Sequence, residues 1–220
     1  MSAIEFQEVS KRYGDRTVVS HLSFQIEEGE RITIHGPSGC GKTTVLRLLA
    51  GFLAPDEGAI RIGGQEVASK GKIHVGPESR RLGMVFQDLA LWPHLTVYQN
   101  LEFALKTQGL IAGVRKQRIG EVLTHVRLDE FSGTYPARLS GGQQQRVAIA
   151  RALVAQPLAL LMDEPLSNLD DDLKDELCGH LLDLHSQLAF TLVYVTHSTE
   201  EVRRIGTRAL LLREGKEVSV

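Results

Sequence analysis

The amino-acid sequence predicts an α/β protein with a mixed β-sheet, and three patterns along the chain support this prediction. Residues 158–162 form a continuous apolar run of strand length, and residues 190–196 form a second run of the same kind. Leucines repeat at helical spacing between these runs, at positions 173, 177, 181, 184 and 188. A glycine-rich stretch joins the strand-like residues 31–35 to the helix-like residues 45–50. Apolar strands that alternate with amphipathic helices are typical of a sheet covered by helices.

The N-terminal part of the chain predicts a second sheet, in which the strands are antiparallel. Apolar and polar residues alternate over 4–9 and 22–26, and a further short strand pattern covers 59–62. Two consecutive glycines, Gly63 and Gly64, follow this last pattern and favour the tight turn of a β-hairpin. We therefore expect an N-terminal antiparallel β subdomain beside the central sheet.

The middle of the chain predicts helices. Thr96 and Gln99 have the spacing of a capping box, which opens a helix over 97–106. A stripe of apolar residues at helical spacing predicts a second, core-facing helix; its members are Ile119, Val122, Leu123 and Val126. These patterns indicate an α-helical subdomain inserted into the α/β fold. The polar, glycine-containing residues 68–80 are expected to form a loop.

Length and composition limit the class of protein. The 220 residues suffice for a single domain with a sizeable core. Within 1–220 we assign 1–87 and 155–220 to the α/β core with its antiparallel subdomain, and 88–154 to the helical subdomain. The formal net charge of −2 gives no basic excess of the kind that nucleic-acid-binding proteins show.

Cysteine usage and hydropathy indicate a cytoplasmic setting. Two cysteines cannot build a disulfide framework, so a reducing compartment is the simplest context. No apolar run approaches the roughly 20 residues of a membrane span. The N-terminus lacks the basic and apolar regions of a signal peptide. Any role at a membrane is therefore expected to depend on partners.

Residues 36–44 match the phosphate-binding loop, G-x-x-x-x-G-K-[ST]. The glycines of such a loop bring backbone N–H groups close to a polyphosphate, and the N-terminus of the following helix attracts the same anion. Lys42 supplies a charge for the β- and γ-phosphates, and the Thr43 hydroxyl can bind Mg²⁺. The alternative is a glycine-rich turn that matches by chance, and the strand before it and the helix after it argue against that. The predicted nucleotide-binding residues of the loop are Gly36, Pro37, Ser38, Gly39, Cys40, Gly41, Lys42, Thr43 and Thr44.

Polar side chains follow three predicted core strands, at the ends where α/β proteins form their sites. Asp163 can hold Mg²⁺, and Glu164 can orient or deprotonate a water aimed at the γ-phosphate; a solvent-facing acid pair is the alternative. Gln87 can reach Mg²⁺ or the attacking water, or be an ordinary strand-end residue, and His197 is a further site candidate. The predicted catalytic residues are Lys42, Gln87, Glu164 and His197, and the predicted Mg²⁺ ligands are Thr43, Gln87 and Asp163.

Three further features each permit two interpretations. Residues 140–143 open a helix whose first amides could face a second phosphate group, or they could form an ordinary capped helix start. Tyr13, in a polar connection, could stack on adenine or be an ordinary half-buried tyrosine. Trp92, beside a proline, could anchor a partner or be buried.

Taken together, these motifs resemble the nucleotide-binding subunits of ABC transporters, and the resemblance covers essentially the whole chain. The motifs that carry it, in the order of that family, are the phosphate loop at 36–43, Gln87, Leu139-Ser140-Gly141-Gly142-Gln143, Asp163-Glu164, Ser167-Asn168-Leu169-Asp170 and His197. The Leu-Ser-Gly-Gly-Gln sequence between the two nucleotide motifs is highly specific for the family. Residues 86–97 resemble the importer-type subunits, which energise the uptake of small solutes.

The resemblance implies an ABC-type P-loop NTPase core that uses ATP and Mg²⁺. Two copies, or one copy and a related ATPase subunit, would close head to tail on two ATP molecules. Asp170 would lie at the dimer seam, Tyr13 would stack on adenine, Gln87 would sense Mg²⁺ and water, and His197 would sense the γ-phosphate. Ser140 and Gly142 of one copy would grip the γ-phosphate that is held by the other copy. The residues of this part of the chain that are expected to bind ATP are Ser140, Gly141, Gly142, Gln143 and Asp170.

The resemblance also implies partners at a membrane. Residues 87–97 would receive the coupling helix of a separate transmembrane permease, and a solute-binding protein is a further expected partner. The subunit would then lie at the inner face of the cell membrane. Many importer subunits continue into a C-terminal β-rich regulatory domain, whereas this sequence stops at Val220, so the solute is not implied.

Two alternative functions belong to other classes. A soluble ABC-type ATPase acting on nucleic acid or ribosomes usually carries long coiled-coil insertions or two tandem nucleotide domains, whereas this chain has a short insert and one phosphate loop. A P-loop GTPase or kinase would leave the sequence of residues 139–143 unexplained, and the Asn-Lys-x-Asp guanine motif is missing.

Overall fold

The computed structural model describes residues 2–106, 108–167 and 169–218. Their contacts divide the chain into two compact units. The first unit comprises the described residues up to 84, Leu158–Glu164, and those from 190 onward. The second unit comprises those of 85–157 and Pro165–Ala189. The sequence-based subdivision, with the helical part at 88–154, stays a prediction; the contacts group residues 165–189 with the second unit.

The first unit contains the strands and two of the helices. Its elements in chain order are β1 (Ser2–Tyr13), β2 (Arg16–Glu27), β3 (Arg31–His35), α1 (Lys42–Ala50), β4 (Glu57–Ile62), β5 (Gln65–Ser69), β6 (Lys72–Ile73), β7 (Leu82–Val85, whose last residue belongs to the second unit), β8 (Ala159–Asp163), β9 (Thr191–Thr196), α6 (Thr199–Ile205), β10 (Arg208–Arg213) and β11 (Lys216–Val218). Five of these strands form an antiparallel sheet in the order β2-β1-β4-β5-β6. The expected antiparallel subdomain is therefore confirmed.

Local sequence signals produce this sheet as predicted. Gly63 and Gly64 both have positive φ, 54° and 78°, and connect β4 to β5 in a tight hairpin. Phe6 on β1 and Phe24 on β2 face each other in register and stack with ring centroids 4.6 Å apart. Cross-strand aromatic pairs of this kind stabilise a sheet beyond the area that they bury.

The second sheet is mixed and positions the site. Its strand order is β11-β10-β3-β9-β8-β7; β3, β8, β9 and β10 pair in parallel, and β11 pairs antiparallel with β10. The side chains of β9 are buried throughout, as expected of a strand covered on both faces. In the register of the sheet His35 lies opposite Thr196, and Asp163 lies opposite Val195. The carboxyl ends of three parallel strands therefore meet at one edge.

The loop expected at residues 68–80 is more ordered than the sequence suggested. It contains the end of β5, the short strand β6, and a turn of 3₁₀-helix at Pro77–Ser79. Arg80 is only 2% exposed, and it donates hydrogen bonds to the carbonyl oxygens of Leu48, Leu49 and Val75. Burial lowers the pKa of Arg80 to about 10. A polar composition failed to predict this structure because the side chain that organises it binds backbone far away in the sequence.

The second unit contains four helices. They are α2 (Val97–Lys106), α3 (Ala112–His125), α4 (Gly141–Leu153) and α5 (Asp171–Leu188). The predicted capping box at Thr96 and Gln99 is present, and the backbone N–H of each residue donates to the side chain of the other. Of the predicted apolar stripe, Ile119, Leu123 and Val126 are buried, and Val122 is half-buried. Within the described ranges, no helix has the length and apolar character needed to cross a membrane.

Candidate nucleotide-binding site

At two positions of the phosphate loop, the backbone conformation and the surrounding space admit only glycine. Gly36 and Gly41 have φ of 153° and 110°. A Cβ on Gly36 would lie 2.2 Å from the carbonyl oxygen of Leu212, and one on Gly41 would lie 2.7 Å from that of Val18. Any side chain at these positions would therefore displace a neighbouring strand as well as strain the backbone. The sequence motif is explained by close packing of the loop against the sheets.

Lys42 lies across this loop at the start of α1. Its side chain is 5% exposed, and Nζ donates to the carbonyl oxygens of Gly36 and Pro37 at 2.9 and 3.3 Å. Gly41 gives α1 no side-chain cap, so the first amides of the helix keep their capacity to bind an acceptor. A buried ammonium and a helix N-terminus in one loop form an anion-binding arrangement.

Thr43 and Asp163 form a pair suited to Mg²⁺. The Thr43 hydroxyl donates to Asp163 Oδ1 at 3.1 Å. Burial and the neighbouring Glu164 raise the pKa of Asp163 above its ordinary value, while the Thr43 hydrogen bond opposes that shift. No group of three or more His, Cys, Asp or Glu side chains that could hold a metal occurs among the described residues. Mg²⁺ commonly combines one or two carboxylates with substrate phosphates and water, and this oxygen pair fits that pattern.

Glu164 is held between a cation and a histidine. Its Oε1 lies 3.6 Å from Lys42 Nζ, and its Oε2 lies 3.2 Å from His197 Nδ1. Its backbone is left-handed, with φ of 44°, and its N–H donates to the carbonyl oxygen of Val195. Non-glycine residues adopt this conformation at a cost, and it is concentrated at functional sites. The carboxylate is therefore oriented from both sides, as a general base requires.

A cavity of about 400 Å³ opens beside the loop and includes several predicted residues. Tyr13, 48% exposed, lies in its wall, and its contact with a base stays a prediction. The full lining is Tyr13, Arg16, Val18, Ser38, Gly39, Gly41, Lys42, Thr43, Thr44, Arg47 and Glu164. Three cationic side chains and one carboxylate surround the cavity, which suits a polyphosphate carrying several negative charges.

Sequence reasoning missed three of these lining residues. Arg16 and Val18 are two residues apart on β2, so they share one face of the strand. Arg47 lies four residues after Thr43 on α1 and therefore on the same side of the helix. The helical spacing from Thr43 would have found Arg47. Arg16 lies opposite Tyr13 on the neighbouring strand, so finding Arg16 and Val18 required the pairing of β1 with β2.

The remaining predicted site residues belong to the second unit, where they begin helices or loops. Ser140 caps α4 in a reciprocal box with Gln143, and the Asp170 carboxylate caps α5 by accepting from the Leu173 N–H at 2.9 Å. Gly142 is buried, and a Cβ there would lie 2.8 Å from Cδ1 of Leu173, so a larger residue would require that side chain to shift. The starts of α4 and α5 thus meet.

Gln87 and the residues near Asp170 complete the predicted set. Gln87 is exposed, and its amide donates to the Ser167 hydroxyl at 3.4 Å. Gly141 is also exposed, at the first position of α4. Asn168, from the motif before Asp170, lies outside the described residues.

Comparison with known proteins decides the family. Residues 19–167 match the family described as ABC transporter. The chain belongs to the ABC transporter family. The resemblance inferred from the motifs is thereby confirmed.

Individual ABC relatives have names that concern import. The chain is 46% identical over 213 residues to the spermidine/putrescine import ATP-binding protein PotA of Pseudomonas aeruginosa, covering 97% of this chain and 57% of that protein. It is 43% identical to the Fe(3+) ions import ATP-binding protein FbpC of Fusobacterium nucleatum, covering 97% of this chain and 56% of that protein. The chain thus spans little more than half the length of these relatives.

A solved structure supports the fold. CbiO1 of Clostridium perfringens, described as part of the ABC transporter complex CbiONQ, superposes with a TM-score of 0.89 at 26% identity. The match covers 99% of this chain and 87% of that one. The predicted α/β fold with an ABC-type core is confirmed.

Proposed function

We propose that this chain is the ATP-binding subunit of an ABC importer and hydrolyses Mg-ATP to drive a solute through a separate permease. One observation carries the proposal: Lys42, Thr43, Asp163, Glu164 and His197 converge on a single phosphate loop. The relatives named as import ATP-binding proteins support the direction of transport.

The binding step is assigned to the loop and the cavity beside it. Lys42 and the first amides of α1 bind the β- and γ-phosphates, the loop residues 36–44 enclose them, and Tyr13 stacks on adenine. Thr43 and Asp163, with Gln87, would hold Mg²⁺, which would neutralise charge on the phosphate oxygens. On binding, Lys42 exchanges its bonds to the carbonyl oxygens of Gly36 and Pro37 for phosphate oxygens.

The hydrolytic step is assigned to Glu164. Its carboxylate orients a water and accepts its proton as the water attacks the γ-phosphorus, and the bond from that phosphorus to the bridging oxygen of ADP breaks. His197, 3.2 Å from Glu164, holds the carboxylate in place and contacts the γ-phosphate. Gln87 positions the same water.

The assembly is a head-to-tail pair of ATPase subunits joined to membrane partners. Ser140, Gly141, Gly142 and Gln143 of one copy face the γ-phosphate held by the other, and Asp170 lies at the seam between copies. Residues 87–97 contact the permease, which places the subunit peripherally at the inner face of the membrane, and a solute-binding protein delivers the solute. The names of the relatives do not favour an ATPase that acts on nucleic acid or ribosomes.

The variant Glu164→Gln tests the proposal. The amide keeps the size of the side chain but cannot accept a proton, so we expect ATP binding to persist, phosphate release to stop, and a dimer to accumulate with Mg-ATP. Phosphate release and light scattering measure the two effects. Glu57→Gln, at an exposed position of β4, is the control and retains hydrolysis. Undiminished hydrolysis by Glu164→Gln, or a species that stays monomeric with Mg-ATP, would contradict the proposal.

A further inference from the structure

The Trp92 loop, defined as residues 88–95, contains a strained backbone. Leu89 and Ala90 are consecutive, neither is glycine, and both have left-handed φ, of 59° and 45°. Such conformations cost free energy and persist only where the surroundings determine them. The loop also contains Trp92, which is the single tryptophan of the chain.

Arg151, near the end of α4, fixes the strained residues. Its guanidinium donates to the carbonyl oxygen of Leu89 at 2.8 Å and to that of Ala90. The same group lies 5.0 Å from the centre of the Trp92 ring, and Arg151 is only 8% exposed. A planar guanidinium can bind two carbonyls and cover an aromatic face at once, whereas a lysine ammonium lacks that geometry.

Asn100 and Phe103, both on α2, hold the loop from its other side. The buried Asn100 amide donates to the carbonyl oxygens of Trp92, Leu95 and Thr96, and its oxygen accepts from the Trp92 N–H. The rings of Trp92 and Phe103 lie 4.4 Å apart. The backbone of Trp92 is therefore hydrogen-bonded to α2, and its ring contacts both Phe103 and the guanidinium of Arg151 on α4.

Helix α4 joins this loop to the proposed phosphate contact. Ser140 and Gly142 stand at its start and Arg151 near its end, roughly 17 Å along the axis at 1.5 Å per residue. The helix is continuous between them and therefore connects the two positions directly. The residues at its start are those assigned to the γ-phosphate of the opposite copy.

We propose that Arg151 is a positioning residue that transmits a movement of α4, caused by nucleotide at Ser140, to the Trp92 loop. The transmission rests on the proposed function, because it needs nucleotide to act at the start of α4. The clamp, defined as the contacts of the Arg151 guanidinium with Leu89, Ala90 and Trp92, does not rest on the proposed function. Residues 87–97 are assigned to the permease contact, so Arg151 couples the nucleotide to the surface that faces the permease.

Trp92 fluorescence tests the clamp without nucleotide. Arg151→Met removes the two donors and the cation, so we expect Trp92 emission to shift to longer wavelength and acrylamide quenching to rise several-fold. Arg151→Lys keeps the charge, but its ammonium lacks the planar geometry that binds both carbonyl oxygens and covers the ring. We expect this variant to fold and to show a smaller rise in acrylamide quenching. Lys116→Met, at an exposed position of α3, is the control. Circular dichroism checks the folding of each variant. Unchanged emission and quenching in both Arg151 variants would overturn the clamp.

A second measurement tests the transmission in the Glu164→Gln background. We expect Mg-ATP to change Trp92 emission as the dimer forms, and Arg151→Lys to abolish that change while light scattering still shows the dimer. A dimer that forms with no change in emission, or an equal change in the Arg151→Lys variant, would overturn the transmission. Failure to form a dimer would contradict both the proposed function and the transmission. The fluorescence of the Arg151 variants without nucleotide would still show whether the clamp exists.

Discussion

Asp163 is a residue of the proposed site whose charge lowers the stability of the folded protein but suits the binding of a cation. It is half-buried, and its carboxyl group is hydrogen-bonded to Thr43 and next to Glu164. A buried carboxylate beside a second one costs folding free energy unless a cation joins it. The pKa of Asp163 is raised because its charged form is less stable in the folded protein than in water. Such an arrangement is useful in a protein whose proposed ligands supply the missing positive charge.

The variant Asp163→Asn is expected to stabilise the nucleotide-free protein at neutral pH. Since the folded-state pKa lies above the unfolded one, the charged group weakens folding above the folded pKa, and this penalty fades as pH falls toward about 4. The variant lacks the penalty, so its gain in melting temperature should be largest at neutral pH and shrink on acidification. Thermal unfolding across a pH series in EDTA measures this gain in melting temperature.

The control for Asp163→Asn is Asp15→Asn, at an exposed turn. A lower melting temperature for Asp163→Asn than for the wild type at neutral pH would contradict the argument.

Arg16 is one of the three residues of the cavity wall whose roles the sequence left unassigned. Its side chain approaches Gly39, with Nη2 4.0 Å from where a Cβ of that glycine would lie. We expect Arg16→Gln to weaken ATP binding about fivefold, or about 1 kcal/mol, through loss of an attraction to phosphate. Direct titration at two salt concentrations measures the effect, which should diminish at high salt. Arg12→Gln removes an arginine paired with Glu57 on the neighbouring strand and serves as the control; equal affinities for the Arg16 variant and the wild type would refute the role.

At the scale of elements, helix α1 is fixed at both of its ends. Its start is the phosphate loop, and its end is closed by Gly51, with φ of 87°, and by the guanidinium of Arg80. A cation at the C-terminus of a helix is favourable because the last carbonyls are unpaired and the helix dipole is negative there. The helix that carries Lys42 and Thr43 is thereby prevented from fraying.

We expect Arg80→Met to destabilise the first unit by about 3 kcal/mol, because several buried carbonyl oxygens lose their donor and the substitute cannot replace it. Denaturant unfolding measures the loss. Lys72→Met, at an exposed position of β6, is the matched control and should change stability by less than about 0.5 kcal/mol. An Arg80 variant as stable as that control would show that the carbonyls find other partners.

The sequence predicted the elements whose signals are local. The capping box at Thr96 and the glycine turn after Ile62 are each decided within four residues, and the structure has both. A helix start at Ser140 was also expected, and α4 begins there with a reciprocal capping box. The strand-end residues Asp163 and His197 were predictable because parallel strands bring their carboxyl ends to one edge.

The features that the sequence did not predict depend on distant partners. Arg80 binds carbonyls about 30 residues away, and Arg151 binds carbonyls about 60 residues away. Side chains that pair over such separations follow no period in the sequence, so only the folded packing identifies them. The same reason applies to Gly142, which the motif associates with phosphate and which also packs against the distant Leu173.

At the scale of the whole molecule, the proposed site is divided between the two units of the chain. Lys42, Thr43, Asp163 and Glu164 belong to the first, and Ser140–Gln143 belongs to the second. In the proposed head-to-tail pair each copy would present both halves, so two equal composite sites would form. ATP that bridged the two copies would stabilise the pair by mass action, and hydrolysis would remove that stabilisation.

Mixing two inactive variants tests whether the site is shared between copies. Lys42→Ala removes the phosphate charge from one half. Gly141→Asp places a carboxylate at the first position of α4, where it suits the helix dipole and preserves folding but repels the γ-phosphate. Each variant alone is expected to hydrolyse almost no ATP. In a mixed dimer both defects fall on one site and the other site is intact.

An equimolar mixture should therefore recover about a quarter of the wild-type rate, since half of the dimers are mixed and half of their sites are intact. Phosphate release measures the rate, and light scattering with Mg-ATP verifies that mixed dimers form. The double variant with both substitutions in one chain is the control: mixed with either single variant, it should restore nothing. A mixture that dimerises but stays inactive would show that Lys42 and Gly141 do not act on the same ATP from different copies, because complementation requires the two halves of one site to come from two chains.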